Sequence, residues 1–453
     1  MNHPPKPYKA YKDTGIEWLG KIPEHWEVQR VKTLFREVNL RSEDENHILL
    51  SVSQFSGVTP RKKIADSDKT DTRASTLIGY KIAFSGDMVI NIMLAWNGSL
   101  GVTPVNGIVS PAYCVYRLNS GNPWYYHYLF RTNKYKAEFK RNSRGVVDSR
   151  LRLYTDDFFR LQASIPPPDE QEVIVSYLNE FESKYNHFMN NRKRLVHVLR
   201  EQKQALINQA VTKGLDPTVP MKDSGIEWLG EIPEHWEVRR LKTVVRNINE
   251  QTSQKKHDEI YLAMEHVESW TGKTTPLTGE VKFDSKVKRF QIDDVLFGRL
   301  RPYLAKVTRP NKTGVCVGEF LVFRISNNSL SPKFLEYFMR SKTVIDIINK
   351  STYGAKMPRA SWLFIGSTAI SLPPLDEQAA ICEHIEQATA TLDASIATAE
   401  RELELMAEYR TRLIADVVTG KLDVRRSDRS DGSDGSDGSD RSDRSDKRNG
   451  RNP

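Results

Sequence analysis

This chain states itself twice, and that repetition limits what it can fold into more than any other feature. Residues 13–33 read DTGIEWLGKIPEHWEVQRVKT and residues 223–243 read DSGIEWLGEIPEHWEVRRLKT, identical at 17 of 21 positions with an offset of 210. Further on, Ile165-Pro166-Pro167-Pro168-Asp169-Glu170-Gln171 returns as Leu372-Pro373-Pro374-Leu375-Asp376-Glu377-Gln378, at an offset of 207. Leu206-Ile207 and Val211-Thr212 return as Leu413-Ile414 and Val418-Thr419 at the same offset. The stretch between the second and third landmarks keeps its length, while the stretch between the first and second has diverged. A constant frame around variable interiors implies a pseudo-dimer within one polypeptide.

The two constant-length stretches carry a helical stripe. Ile174, Leu178, Phe181, Tyr185, Phe188, Arg192, Leu195, Leu199, Gln202 and Leu206 advance by four and three alternately, and eight of these ten are apolar. That is the 3.5-residue period of an interhelical seam. Their counterparts Ile381, Ile385, Ala388, Leu392, Ser395, Ala399, Glu402, Met406, Tyr409 and Leu413 form a weaker stripe in the same register. Prolines and acidic residues mark each start, and Gly214 and Gly420 mark the ends. A helix of about 43 residues is roughly 65 Å long and must bury its stripe, for which its own duplicate is the nearest partner. The expected fold is α+β: two similar domains, each a twisted antiparallel sheet with small helices, separated by two long antiparallel coiled-coil helices in a pseudo-twofold arrangement. The expected boundaries are 1–168 and 216–375 for the domains, 169–215 and 376–423 for the helices, and 424–453 for a disordered Ser/Asp/Gly/Arg tail.

Charge follows the same division. Of the net +9, residues 1–168 carry +8 and 216–375 carry +6, against +1 for 169–215, −7 for 376–423 and +1 for the tail. Two basic bodies point to a polyanionic partner. Cys114, Cys316 and Cys382 form no C-x-x-C pair and are expected as buried free thiols in a reducing compartment. The N-terminus has no apolar signal-peptide core and no run reaches the length of a membrane span, so a soluble, cytoplasmic protein with no membrane partner is expected.

Within each basic domain, short apolar runs broken by Gly, Pro, Asn and Ser read as strands: 47–52, 88–92 and 113–118 in the first, 259–264, 295–299 and 320–325 in the second. An aromatic-rich short helix follows in both, at 123–130 and 332–339, with spacing that suits core packing rather than base stacking. The DNA-contact candidates of the first domain are Arg61, Lys62, Lys63, Arg141, Arg144, Arg150 and Arg152. Those of the second are Lys273, Arg299, Arg301, Lys350, Lys356 and Arg359. Arginine and lysine neutralise phosphates, and arginine also pairs with guanine in two-pronged fashion. Ser53, Gln54, Glu265 and His266, polar and in loops, are candidates for reading adenine or cytosine edges.

No catalytic or metal constellation emerges. Gly272-Lys273-Thr274 resembles the end of a phosphate loop, but Val267 stands where the first glycine is required. Asp169 with Glu182 and Lys184 imitates a metal-dependent nuclease spacing, yet all three fall along one expected helix and the duplicate reads Thr389-Ala390-Thr391. The repeated His25 and His235 each have one Trp and two Glu beside them, a set better suited to a surface position or to domain–helix packing than to a metal or a general base. Neither a glycine-rich S-adenosylmethionine loop nor an Asn-Pro-Pro-Phe motif occurs.

The duplicated Gly-Ile-Glu-Trp-Leu-Gly-x-Ile-Pro-Glu-His-Trp-Glu, together with the Pro-Pro-x-Asp-Glu-Gln at each helix start, resembles the specificity subunits of type I restriction–modification systems from residue 8 to about 424. The resemblance implies that each domain reads one half of a gapped target in double-stranded DNA. It also implies one copy per complex, with two methyltransferase subunits that each flip an adenine and with translocase–endonuclease subunits that join for cleavage. S-adenosylmethionine, ATP and Mg²⁺ would then belong to those partners, and this chain would bind no cofactor. A stand-alone DNA- or protein-binding scaffold and a methylation-only system stay open as alternatives.

Overall fold

The structure is a computed structural model that describes residues 5–44, 46–61, 76–279, 281, 283, 285–354 and 356–425. Lys62, Lys63 and the tail from residue 426 therefore lie outside the described residues. The chain divides into two compact units, one formed by residues 1–187 with 406–453 and the other by 188–405. Both follow one plan.

In the first unit a four-stranded antiparallel sheet runs in the order Phe35–Val38, Cys114–Leu118, Met88–Ile90, Leu100–Val102. Helices Pro123–Phe130, Asn133–Asn142 and Thr155–Arg160 accompany it. Gln162–Ile165 returns to pair antiparallel with Glu27–Arg30. The second unit repeats this with Val245–Ile248, Phe320–Ile325, Val295–Gly298 and Val307–Thr308, then helices Pro332–Arg340, Lys342–Lys350 and Trp362–Ser367. There Ala369–Leu372 returns to Glu237–Arg240. Each sheet is pinned by one buried carboxylate: Asp87 takes the Arg117 guanidinium in two bonds of 2.8 Å, and Asp294 takes Arg324 at 2.8 and 2.6 Å. These charge-assisted pairs raise both arginine pKa values, and they lie 207 residues apart.

Two expectations need correction. The sheets are not wholly antiparallel: Ile260–Leu262 pairs parallel with Gly314–Cys316 in a second four-stranded sheet, and a parallel bridge joins Leu49 to Ile108 in the first unit. Both connections cross through the main sheet's strands, which permits the parallel sense. The strand expected over 47–52 begins only at Leu50, because His47–Leu49 approaches its neighbour through that single bridge. The short aromatic helices pack inward as expected: Tyr125, Tyr126, Leu129 and Phe130 are buried, as are Phe334, Leu335, Phe338 and Met339. All three cysteines are buried and free.

The two constant stretches form helices Pro168–Lys213 and Leu375–Val418. Their first turns belong to domain cores rather than to a helix pair. Ile174 and Leu178 join the core of the first unit, alongside Leu413, Ile414, Val417 and Val418 from the end of the second helix. Ile381 and Ile385 join the core of the second unit, alongside Ile207, Ala210 and Val211. Within the second unit the two helices run antiparallel through a small apolar contact of Val196, Ile396 and Ala399, with Leu199 against it. Ion pairs Arg192–Glu402, Arg200–Glu400 and Lys203–Asp393 flank it at 2.6–2.8 Å. In the first unit Phe181 meets Tyr409, and Arg410 pairs with Glu182.

Of the residues expected along the seam, Ile174, Leu178 and Phe181 are buried within the first unit's core, and Tyr185 and Phe188 are half-buried. The seam slips at Leu195, which is 38% exposed while Val196 beside it is 7% exposed. An α-helix turns every 3.6 residues, so a strict 3.5 repeat drifts off the contact by about 20° per heptad. After Arg192 the inward line proceeds through buried Val196 and half-buried Leu199 and Lys203, and Ile207 is buried where Leu206 is half-buried. In the second helix Ile381, Ile385 and Leu413 are buried and Leu392 and Met406 are half-buried.

Candidate nucleic-acid interface

The repeated motifs build the frame that holds the interface. Glu170, 3% exposed, accepts from Tyr8 Oη at 2.6 Å and from Trp26 Nε1 at 3.1 Å, and its other oxygen lies 2.7 Å from His25 Nε2. Glu377 is held by Trp236 Nε1 at 3.1 Å and by His235 at 2.8 Å. The next residue, Gln171, accepts from Asn122 N at the entry to the aromatic helix, and Gln378 accepts from Ser331 N at the matching place. Gly420 and Gly214, both at positive φ, pack against Trp26 and Trp236 where a helix ends. The two histidines thus tie domain to helix, and among the described residues no cluster of ligating side chains suits a metal ion. Asp169, Glu182 and Lys184 lie along one helix, where Glu182 meets Arg410 and Lys184 meets Glu180.

On this frame three divergent loops meet in each unit. In the first unit they are the tip of the hairpin Leu50–Ser53/Gly57–Pro60, the turn around Ala95–Asn97, and the segment 143–154. Arg131 bonds the tip to the turn through the carbonyls of Phe55 and Gly98, and Leu153 N donates to Ile92 O. In the second unit they are the loop 264–275, the turn Pro302–Leu304 and the segment 353–360. Trp270 N donates to Ala305 O, Arg301 N to Pro358 O, and Ala360 N to Arg299 O.

Most of the sequence-derived candidates fall on or beside these loops, with Arg141 and Lys350 in the helices Asn133–Asn142 and Lys342–Lys350, and they differ in freedom. Arg150, Lys273, Arg301, Lys350 and Lys356 are exposed, and Gln54, Arg61 and Glu265 are exposed as well. Ser53 turns its hydroxyl back onto Phe55 N, and Arg152 donates to the Leu151 carbonyl. Arg141 lies 3.6 Å from Glu138. Arg144 is engaged by Asp157 at 2.7 Å and stacks on Tyr154, and Arg359 makes a forked pair with Glu319. Arg299 bonds Tyr353 Oη at 3.3 Å, 3.8 Å from Glu319. Arg144, Arg299 and Arg359 therefore shape their segments as well as charging them. His266 is half-buried and its Nδ1 accepts from Ala263 N, so that nitrogen is committed.

Residue-type reasoning missed the apolar members of these loop clusters: Phe55 is 80% exposed in the first unit, and in the second Tyr353 is 56%, Met357 45% and Tyr303 44% exposed. It also missed Arg131, which lies beneath the first hairpin. Burial and the nearby Arg410 hold its pKa down at about 10. His127, one helical turn earlier, is pushed down to about 3, by burial first and then by Arg131, and accepts from Val102 N through Nδ1.

Residues 233–405 match the family model described as the type I restriction modification DNA specificity domain. The type I restriction enzyme EcoDI specificity subunit of Escherichia coli is 22% identical over 351 residues, spanning 73% of this chain and 78% of its own length. The putative type I restriction enzyme MjaX specificity subunit of Methanocaldococcus jannaschii is 23% identical over 432 residues, spanning 90% and 96% respectively. A chain solved in work on the complex assembly and conformational transition of the type I R-M system shares the fold. Its TM-score is 0.66 at 15% identity, covering 88% of this chain and 99% of that one.

Proposed function

We propose, from the premise that this chain belongs to the type I restriction–modification specificity subunits, that its two repeats each read one half of a gapped DNA target and that the loop clusters described above make the contacts. The chain is the non-catalytic DNA-specificity component of such a system, associating with DNA and with methyltransferase and restriction subunits. In the finer reading, two methyltransferase subunits and one copy of this chain act together. The partners supply S-adenosylmethionine, ATP and Mg²⁺ chemistry, and an adenine in each half-site is flipped for methylation.

The observation that carries the reading is the placement of divergence. Sequence varies where three loops meet and expose cations, while the helices keep their length and the joints at their two ends keep their residues. Loops on a rigid scaffold can change specificity without disturbing assembly. Exposed Arg150, Arg301, Lys350 and Lys356 serve phosphates, and Gln54 and Glu265 serve base edges.

The test is co-expression with the cognate methyltransferase subunit, followed by genome-wide mapping of modified adenines. A two-part motif with an unread gap is expected. Insertions within residues 174–206 should alter that gap and leave both half-sites unchanged. Arg301→Ala and Lys356→Ala should each weaken binding across all sequences and lower the slope of log affinity against log salt by about one. Affinity for partners that ignores salt, with no DNA binding, would instead identify a protein scaffold.

A further inference from the structure

We propose that Phe55 is an apolar base-reading residue of the first half-site, packing against a thymine 5-methyl group in the major groove from a hairpin tip that Arg131 holds in place. The inference rests on the DNA-specificity reading above and names a contact within it.

Phe55 is the most exposed aromatic side chain among the described residues, at 80%. An isolated exposed apolar residue is ordinary on a protein surface. Here, however, the backbone beneath it is fixed by an unusual investment of one guanidinium. Arg131 Nη1 donates to Ser53 O at 3.3 Å, and Nη2 donates to Gln54 O at 3.0 Å and to Phe55 O at 2.9 Å. Nη1 also reaches Gly98 O at 3.1 Å and Leu100 O at 2.7 Å. Three successive carbonyls turned toward one half-buried cation face the protein, which leaves the side chains of residues 54 and 55 directed away from it. Ser53 Oγ accepts from Phe55 N at 3.1 Å. Gly57 closes the tip at φ +72, where a Cβ would come within 2.8 Å of the His127 ring. A charge committed to carbonyls is poorly placed to serve phosphate, so Arg131 is a positioning residue.

The second unit supplies the control. Arg340 stands in the matching place, reaching Val307 O as Arg131 reaches Leu100 O. Its other bond goes to Glu336 at 2.7 Å, and none of its bonds goes to the tip of loop 264–275. That loop presents Glu268, Thr271 and Lys273, while its aromatic, Trp270, packs against the core. An aromatic at the tip thus coincides with the guanidinium clamp. Its neighbours fit a DNA major groove: Gln54 is exposed beside it and Arg61 is exposed at the end of the hairpin. Glutamine pairs with adenine N6 and N7, and phenylalanine with the thymine methyl group. A preordered aromatic also loses little conformational freedom on binding.

The experiment uses the full chain assembled with its methyltransferase partner. Each thymine of the mapped first half-site is replaced in turn by deoxyuridine, which removes only the methyl group. With wild type, one replacement should weaken binding by about five- to tenfold, and Phe55→Ala should lose a similar factor on the natural duplex. For Phe55→Ala that same deoxyuridine should cost nothing further, and discrimination at the second half-site should not move. Arg131→Met, with its tip released, should lose the methyl discrimination too. The proposal is overturned by Phe55→Ala binding within twofold of wild type, by a deoxyuridine penalty that persists in Phe55→Ala, or by a first half-site without thymine on either strand. A wild-type complex with no sequence preference would bring down the specificity reading itself, and this inference with it.

Discussion

The two units share a frame almost bond for bond and differ in what they display on it. Asp87–Arg117 and Asp294–Arg324 pin the sheets identically, and Gln171 and Gln378 seat the aromatic helices identically. Where one partner has changed, another has taken over. Tyr125 Oη donates to the Val418 carbonyl in the first unit, whereas the second has Phe334 at that place and Ser371 Oγ donates to the Val211 carbonyl. The joints differ in closure. In the second unit the stretch from Gly214 to Met221 is continuous chain, but in the first the matching connection is made from two separate ends. Asp423 bridges to Lys6, Tyr11 Oη donates to Lys421 O, and Arg425 lies over the Tyr8 ring. The difference teaches that the frame is selected for geometry, whether held by covalent chain or by hydrogen bonds, while the loops are free to diverge.

The joint gives the largest expected effect. Glu170→Ala strands the Tyr8 hydroxyl and the Trp26 indole N–H in a buried setting and should cost about 3 kcal/mol or more. Glu377→Ala, at a site with fewer bonds and a carboxylate side chain 27% exposed, should cost about half as much. Chemical denaturation of the two variants compares them, and equal losses would mean that the noncovalent closure adds nothing to the first joint.

Next comes acid sensitivity. His127 titrates near 3 when folded because burial and Arg131 oppose its charge, whereas an unfolded histidine titrates near 6.5. The unfolded chain therefore takes up the proton first. Stability is full above about pH 6.5 and declines as pH falls toward 3, by up to about 1.4 kcal/mol per unit. His127→Gln keeps an acceptor for Val102 N and removes the titration. Between pH 7 and 5 the wild type should lose about 2 kcal/mol more than this variant. Superimposable pH profiles would show that burial and Arg131 do not oppose the charge of His127 in the folded chain.

The frame was legible in the sequence because it occurs twice. The helices and the aromatic packing followed from matched spacings and periods, whereas the sequence left His25 and His235 between a surface position and domain–helix packing, and only the contacts to Glu170 and Glu377 decide it. The loops were legible only as composition, since charge marks an arginine without saying whether a carboxylate already holds it. Arg144 and Arg359 proved to be paired across 13 and 40 residues, and Arg131 spends its donors on backbone carbonyls, which no residue pattern announces. The parallel strand pair was hidden for a related reason: strand sense depends on which non-neighbouring runs meet, and alternation of apolar residues carries no direction.

The smallest effect tests the one place where periodicity itself misled. A seven-residue reading put Leu195 in the helix contact, whereas the straight helix turns Val196 into it against Ile396 and Ala399. Val196→Ala should therefore cost about 1 kcal/mol, the loss of two buried methyl groups. Leu195→Ala, though it removes more carbon, should stay within about 0.5 kcal/mol because its side chain is already partly in water. If Leu195→Ala proved the more damaging, the helices would have to wind about each other with a 3.5-residue repeat, and Arg192, Arg200 and Lys203 would no longer line up with Glu402, Glu400 and Asp393. Charge reversal at Lys203 separates the two registers independently. In the straight-helix register Lys203→Glu sets two carboxylates together and is repaired by Asp393→Lys, whereas in the wound register the second substitution repairs nothing.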